Sequence, residues 1–336
     1  MANKAQIVGQ IVKAALRKYP KHPTSTLAKM IAAKHKELFT YDSARTNIRY
    51  YRGANGSENR SKLADKEFVR EKRTSSPDDY LSFIPESSTI HRERWNLPKS
   101  IKNVALWGDM HIPYHDEKAL KAAVKLAKAE KVDAIYINGD LLDFFGLSFH
   151  EKNPTNRPKI SEELESARTF LKGLRKAFDG IPIYYCPANH EARLERYLAL
   201  KAPELLDCSE FRLDVLLRLA EYGISYIPAK TKVYFGKLLV EHGDRLKGTG
   251  GVNPARTARL KYKRSTIVNH FHKLSSDSGK AYDGDVMTCW SNGCLCELEP
   301  EYMEVNEHVH GVCHIKVDID GSFVVRQFQI IDGKVY

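Results

Sequence analysis

The chain has 336 residues, 42% of them apolar, enough for about two domains with sizeable cores. No apolar run approaches the ~18 residues that span a bilayer, and the basic start lacks an apolar stretch followed by a small-residue cleavage site, so a cytoplasmic protein with no membrane partner is expected. The net charge of +11 is segregated: residues 1–75 carry 17 Lys/Arg against 6 Asp/Glu, and the remainder carries 36 of each sign.

The first segment reads as three short helices. Ile7, Ile11, Val12, Ala15 and Leu16 recur at helical spacing until Tyr19-Pro20 and His22-Pro23 break the run. Thr24 or Ser25 suits the cap of a second helix carrying Leu27, Met30 and Ile31 and ending near Leu38-Phe39. A third, Asp42 to Arg52, is closed by Gly53. Its Ser43, Arg45, Thr46, Asn47, Arg49 and Arg52 are residue types that contact phosphates and base edges, so residues 1–53 are expected to form a basic, helix-turn-helix-like all-α domain. A solvated basic surface is the plainer alternative.

Residues 54–99 begin with a stretch rich in Gly, Ser, Asn and charge and are expected to be a linker. Beyond residue 100, apolar strands alternate with amphipathic helices. Val104–Trp107, Ala134–Ile137 and Ile181–Tyr185 read as strands, with helices near 117–129 and 162–178 and further strands after Val286. That alternation predicts an α/β domain over 100–336. The six cysteines lie mostly in strand-like segments and suit reduced thiols; Cys294 and Cys296 lack the C-x-x-C spacing of a zinc site.

Each apolar strand ends in residues able to bind metal. The first gives Asp109 and His111, two apart and so presented to one side of an extended chain. Asp140 and Asp143 follow the second, and Asn189 and His190 the third. Two later runs end in His242 and in the pair His270 and His272. Asn189 also suits a helix cap, with Glu191 favoured near the positive end of the helix dipole. Carboxyl ends of strands are where open α/β sheets bind ligands, and a mixed Asp/His/Asn set favours manganese, iron or zinc over calcium or magnesium. The run Lys247–Gly251 lacks the spacing of a phosphate loop.

The order Asp-x-His, Gly-Asp-x-x-Asp, Asn-His-Glu, His, His-x-His resembles the calcineurin-like metallophosphoesterases over roughly residues 100–275. The resemblance implies a four-layer α/β/β/α sandwich holding two divalent ions, manganese first, with iron, zinc or nickel as alternatives. It makes Asp109, His111 and His272 ligands of one ion, Asn189, His242 and His270 ligands of the other, and Asp140 the bridge. By the same resemblance His190 binds no metal but faces the substrate as general acid or charge stabiliser, Asp143 holds its imidazole, and a hydroxide between the ions attacks in line. Arg193 is expected to contact a phosphate oxygen. Ala188 and Asn269 stand where the family usually has glycine, at positions that either residue would fill at positive φ.

The metal set does not choose a substrate. The basic first segment, with Arg256, Arg259, Lys261, Lys263 and Arg264 ahead of His270, favours a nuclease or phosphodiesterase acting on DNA. A phosphomonoesterase acting on protein or nucleic-acid ends, and a non-catalytic DNA-binding protein with a hydrolase-like body, are the alternatives.

Overall fold

A computed structural model describes residues 4–53, 81, 83–89, 92–149, 159–247, 251–300, 303 and 305–336. Most of the expected linker and residues 248–250 lie outside them. The chain divides into two compact units, residues 1–89 and 90–336.

In the first unit α1 (Lys4–Lys18), α2 (Thr24–Lys34) and α3 (Tyr41–Tyr51) enclose a small core. Val12 and Leu16 from α1, Leu27, Ala28 and Ile31 from α2, and Ala44 and Ile48 from α3 supply it. The 3.6-residue spacing of these side chains is what makes each helix one-sided. Helix α2 stops at Lys34 rather than near Phe39, because the chain turns to bury Phe39 in that core. Neither Thr24 nor Ser25 caps α2: Pro23 precedes it without a side-chain bond, and Thr24 Oγ1 instead accepts from Arg52 Nη1 at 2.9 Å. Helix α3 is capped reciprocally, Ser43 N donating to Thr40 Oγ1 and Thr40 N to Ser43 Oγ, which satisfies two otherwise orphaned donors.

The expected phosphate-facing surface of α3 is only partly available. Arg52 is buried, its Nη2 donating to His22 O at 2.8 Å, so it fastens α3 to the start of α2. Asn47 Nδ2 donates to Ser43 O. Arg45, Thr46 and Arg49 remain exposed.

In the second unit, seven strands form one sheet in the order β13-β12-β11-β2-β3-β4-β5 and six form another in the order β1-β6-β7-β8-β10-β9. The first contains β2 (Asn103–Trp107), β3 (Ala134–Asn138), β4 (Ile183–Cys186) and β5 (Ile224–Tyr226), all parallel, followed on one side by the antiparallel β11 (His310–Val317), β12 (Phe323–Ile331) and β13 (Lys334–Val335). The second contains β1 (Arg94–Asn96), β6 (Lys232–Phe235), β7 (Leu238–Glu241), β8 (Thr266–Val268), β9 (Ser275–Lys280) and β10 (Val286–Ser291). Strand β1 lies within the stretch expected to be linker; it pairs in parallel with β6, so the second body begins before residue 100.

Alternation along the strands sets the layers. Val104 and Leu106 of β2, Ala134 and Tyr136 of β3, and Ile315 of β11 face the second sheet, meeting Val233, Phe235, Val240 and Ile267. Ala105, Trp107, Ile135 and Ile137 point the other way, under α4 (Glu117–Ala129) and α5 (Ile160–Ala177). Ala119, Ala123 and Ala127 let α4 sit close to the sheet. After α6 (Ala192–Lys201), helix α7 (Pro254–Tyr262) covers the outer face of the second sheet, where Ala258 packs with Val268 and Cys289. Helix, sheet, sheet and helix make the four expected layers.

Candidate metal centre

The parallel strands β2, β3 and β4 release their chains at one edge, and the parallel β7 and β8 of the other sheet release theirs beside it. These loops hold nine of the ten site residues expected from sequence, and Arg193 stands on the first turn of the helix that follows the β4 loop. Five take left-handed backbone: Asp109 (φ 51°), His111 (48°), Asp140 (50°), His270 (73°) and His272 (56°). Such conformations are uncommon outside glycine and cluster where a site over-determines its backbone. Positive φ falls on five of the candidate ligands, not on Ala188 or Asn269, correcting the expectation for those two positions. Their side chains are accommodated by glycines opposite: a Cβ on Gly139 would lie 2.4 Å from Ala188 Cβ, and one on Gly108 would lie 2.6 Å from Asn269 Nδ2.

Asp109, His111 and Asp140 form one buried group of donor atoms within 4.8 Å of one another, and Asp140, His242 and His270 form a second. Asp140 belongs to both, the position a bridging carboxylate requires. Its Oδ2 lies 3.1 Å from His242 Nε2 and 3.9 Å from His111 Nε2. His272 Nε2 approaches Asp109 Oδ1 at 3.5 Å, and the His270 amide donates to Asp109 Oδ2 at 3.1 Å. Second partners fix the tautomers. His242 Nδ1 donates to Asn138 O at 2.7 Å, and His111 Nδ1 pairs with Asp143 Oδ1 at 3.0 Å, so each turns Nε2 inward.

The donor set fits divalent cations. Asn189 Oδ1 and His111 Nε2 are buried and lack hydrogen-bond partners, which a protein interior rarely tolerates without another occupant. Burial works to raise the Asp140 carboxyl, but His242, His190 and His111 hold it well below the usual carboxylate range. Burial alone would lower His242; Asp140 and Asp109 instead raise it to about 10. A field that favours positive charge so strongly is the field of carboxylates gathered for cations.

Asp143 serves two rings. Besides His111, it holds His190, whose Nδ1 lies 2.9 Å from Asp143 O and 3.2 Å from Oδ1. Arg193 Nη1 donates to Asp143 O at 2.8 Å while Nη2 lies 3.1 Å from His190 Nε2. Thus Arg193 touches the imidazole as well as facing the site.

Three residues to which the sequence assigned no part in this site complete the support. Asn189 makes no capping bond, and α6 follows Glu191, which is folded back and 3% exposed. Its carboxylate accepts from Asp140 N (3.1 Å), Leu142 N (3.0 Å) and Ala188 N (2.8 Å), tying the β3 and β4 loops together. Cys296 places Sγ 3.7 Å from His272 Nδ1. Glu163, on the first turn of α5, is buried and accepts from Phe144 N. Burial, aided by Asp143 and Glu191 against the Phe144 amide, raises its carboxyl from 4.5 to about 8. The folded state therefore keeps a proton that the unfolded state releases near 4.5, and stability falls as pH rises from about 4.5 through 8. Glu163→Gln is expected to remove ~3 kcal/mol of that decline. Urea midpoints at pH 5 and pH 8 check this; an unchanged pH slope would contradict the assignment.

A helix–sheet–sheet–helix body with two such donor groups at the strand ends defines a calcineurin-like phosphoesterase. The chain belongs to that family, whose sequence model matches residues 102–305, and is a metal-dependent phosphoesterase with a dinuclear divalent centre. It is similar to the Gene 54 protein of Mycobacterium phage D29, 30% identical over 202 residues that cover 56% of this chain and 77% of that protein. The Gene 54 protein of Mycobacterium phage L5 matches at 29% with the same coverage. Among solved structures, Vacuolar Protein Sorting 29 from Cryptosporidium parvum aligns over 70% of this chain and 95% of its own, with 13% identity and a TM-score of 0.38. Yfce, a phosphoesterase from E. coli, aligns over 67% and 97%, with 11% identity and a TM-score of 0.31. Among the described residues, no helix is long and apolar enough to cross a membrane.

Proposed function

We propose that the protein is a manganese-dependent phosphodiesterase that cleaves DNA. The observation that carries the reading is the placement of the whole +11 charge in residues 1–75, joined to a charge-balanced hydrolase body. Exposed Arg45 and Arg49, four apart on α3, supply adjacent cations for successive phosphates. The second basic segment contributes less than its composition suggests. Arg259 is paired with Asp277, and Arg264 stacks on Tyr234 while donating to Lys237 O. Lys261 is exposed but donates to Lys247 O, so a backbone path would run first past the exposed Arg256 and Lys263.

Asp109, His111 and His272 would hold one ion and Asn189, His242 and His270 the other, with Asp140 shared by both. Carboxylate, amide and imidazole donors in this mixture suit manganese. When bound, the ions supply Lewis-acid charge and an activated water for in-line displacement. The chain's own contribution is orientation and a proton. Asp143 fixes the His190 ring through Nδ1, and Arg193 moves from His190 Nε2 to a non-bridging phosphate oxygen as substrate enters. With Arg193 withdrawn, and against the burial that opposes it, Asp140 and Asp143 favour uptake of a proton from water at Nε2, and His190 gives that proton to the departing oxygen.

Hydrolysis of bis-p-nitrophenyl phosphate against p-nitrophenyl phosphate with Mn²⁺, followed by labelled oligonucleotides, tests the reading. Diester turnover with cut DNA is expected; monoester turnover alone, with DNA left intact, overturns it. The DNA contact has a separate check. Arg45→Ala with Arg49→Ala is expected to reduce the slope of log K against log salt by ~2, about 0.9 for each lost phosphate contact. An unchanged slope removes α3 from the interface.

A further inference from the structure

Beside the metal ligands, on the Asn189 and His242 side, the two sheets part into a cleft of about 460 Å³. This lies within the ~300–1,000 Å³ range of small-ligand sites. His242, of the donor group with Asp140 and His270, and Asn189, with its unpartnered Oδ1, both line the cleft, so a phosphate held by the metal centre would have room for one ester arm in the opening.

The lining chooses what that arm carries. Ala192 and Ala199 of α6 form one wall, and Val233 and Val240 face them from the second sheet. At the floor, the Tyr136 hydroxyl is fully buried against the Cys186 thiol, with no oxygen or nitrogen partner. Glu241, also on the wall, is neutralised by Arg92 through contacts of 2.9 and 3.2 Å and by Arg245 at 3.7 Å. Lys230 and Arg196 bring positive charge to the rim. A cleft with an apolar strip between Ala192, Ala199 and Val233, Val240, and with Glu195 and Asp244 beside the cations and amides of its rim, suits a flat ring with polar edges, attached to a phosphate.

We propose that this cleft receives the nucleoside on one side of the scissile phosphodiester, unstacked from its neighbours. This deepens the phosphodiesterase reading and rests on it. A base that remains paired and stacked in a duplex cannot enter a closed pocket, whereas one from a single strand or a frayed end can. Single-stranded DNA is therefore the favoured substrate form.

The experiment compares kcat/KM for thymidine 5′-(4-nitrophenyl phosphate) with that for bis-p-nitrophenyl phosphate, both with Mn²⁺. The ratio is expected to favour the nucleoside ester by about tenfold, the scale of one base-stacking contact. Two exposed lining positions, Ala199 on α6 and Ala229 ahead of β6, allow the cleft to be filled without disturbing a core: Ala229→Trp and Ala199→Trp. Each should erase most of the preference, and cleavage of single-stranded over blunt duplex oligonucleotides should fall with it. A ratio unaffected by both substitutions, or equal rates on the two DNA forms in the unmodified protein, overturns the proposal. Should neither diester be hydrolysed, the phosphodiesterase reading fails instead, and equilibrium binding of thymidine 5′-monophosphate decides the cleft. About tenfold weaker binding in the tryptophan variants supports it, and identical Kd values overturn it.

Discussion

Asp140→Ala is expected to release both metal ions and abolish turnover together, whereas His190→Asn keeps the metals and loses turnover alone. Asp140 is shared by both donor groups, and its Oδ1 accepts from the His190 amide at 3.1 Å while Oδ2 faces His242 and His111. Its removal leaves three imidazoles without their central carboxylate. The activity loss should exceed ~10³-fold, the several kcal/mol of charge stabilisation that bound metal supplies. His190 presents Nε2 to Arg193 and is held by Asp143 through Nδ1; its replacement should cost ~10²–10⁴-fold, the range for a lost general acid. Metal content by atomic emission, with diester hydrolysis on the same samples, separates the two. Equal loss of metal in both variants would contradict the assigned roles.

Glu191→Gln should be the most damaging isosteric change away from the ligands. The carboxylate accepts three backbone N–H groups from the β3 and β4 loops, and an amide can accept with only one of its two ends. One buried donor is then left facing an NH₂ group, at ~1–3 kcal/mol, with a further loss from exchanging a charged acceptor for a neutral one. A fall of ~2–4 kcal/mol in urea unfolding and a ~10–100-fold weaker Mn²⁺ affinity are expected, because the loops it joins carry Asp140 and Asn189. Unchanged metal affinity with lowered stability would make Glu191 a scaffold residue only.

The difference between those residues and the ligands explains what the sequence makes legible. Strands β2, β3, β4, β7 and β8 are short apolar runs buried on both faces, and a polar residue at the end of such a run is conspicuous. Asp109, Asp140, Asn189, His242 and His270 stand out for that reason. Strand β9, Ser275–Lys280, has no apolar residue and exists through antiparallel pairing to the adjoining β10, and β1, three residues long, exists through pairing to the sequence-distant β6. Glu191 and Glu163 begin helices, where an acidic residue ordinarily answers the helix dipole in solvent. Only the tertiary fold buries them. Arg52 shows the same limit in reverse: its charge and its place on α3 suggest a nucleic-acid contact, while the carbonyl groups that capture it belong to the turn before α2.

The division of the ligands between two sheets has a further consequence. Asp109, His111, Asp140 and Asn189 are carried by the seven-stranded sheet, and His242, His270 and His272 by the six-stranded one. The distance between the two sets is thus governed by the thickness and alignment of the layer between the sheets, built from Tyr136, Val233, Phe235 and Val240. A displacement of about 1 Å can cost a site ~10²-fold in rate. Side-chain volumes in that intervening layer, remote from any reacting atom, therefore act as determinants of metal spacing and of catalytic rate.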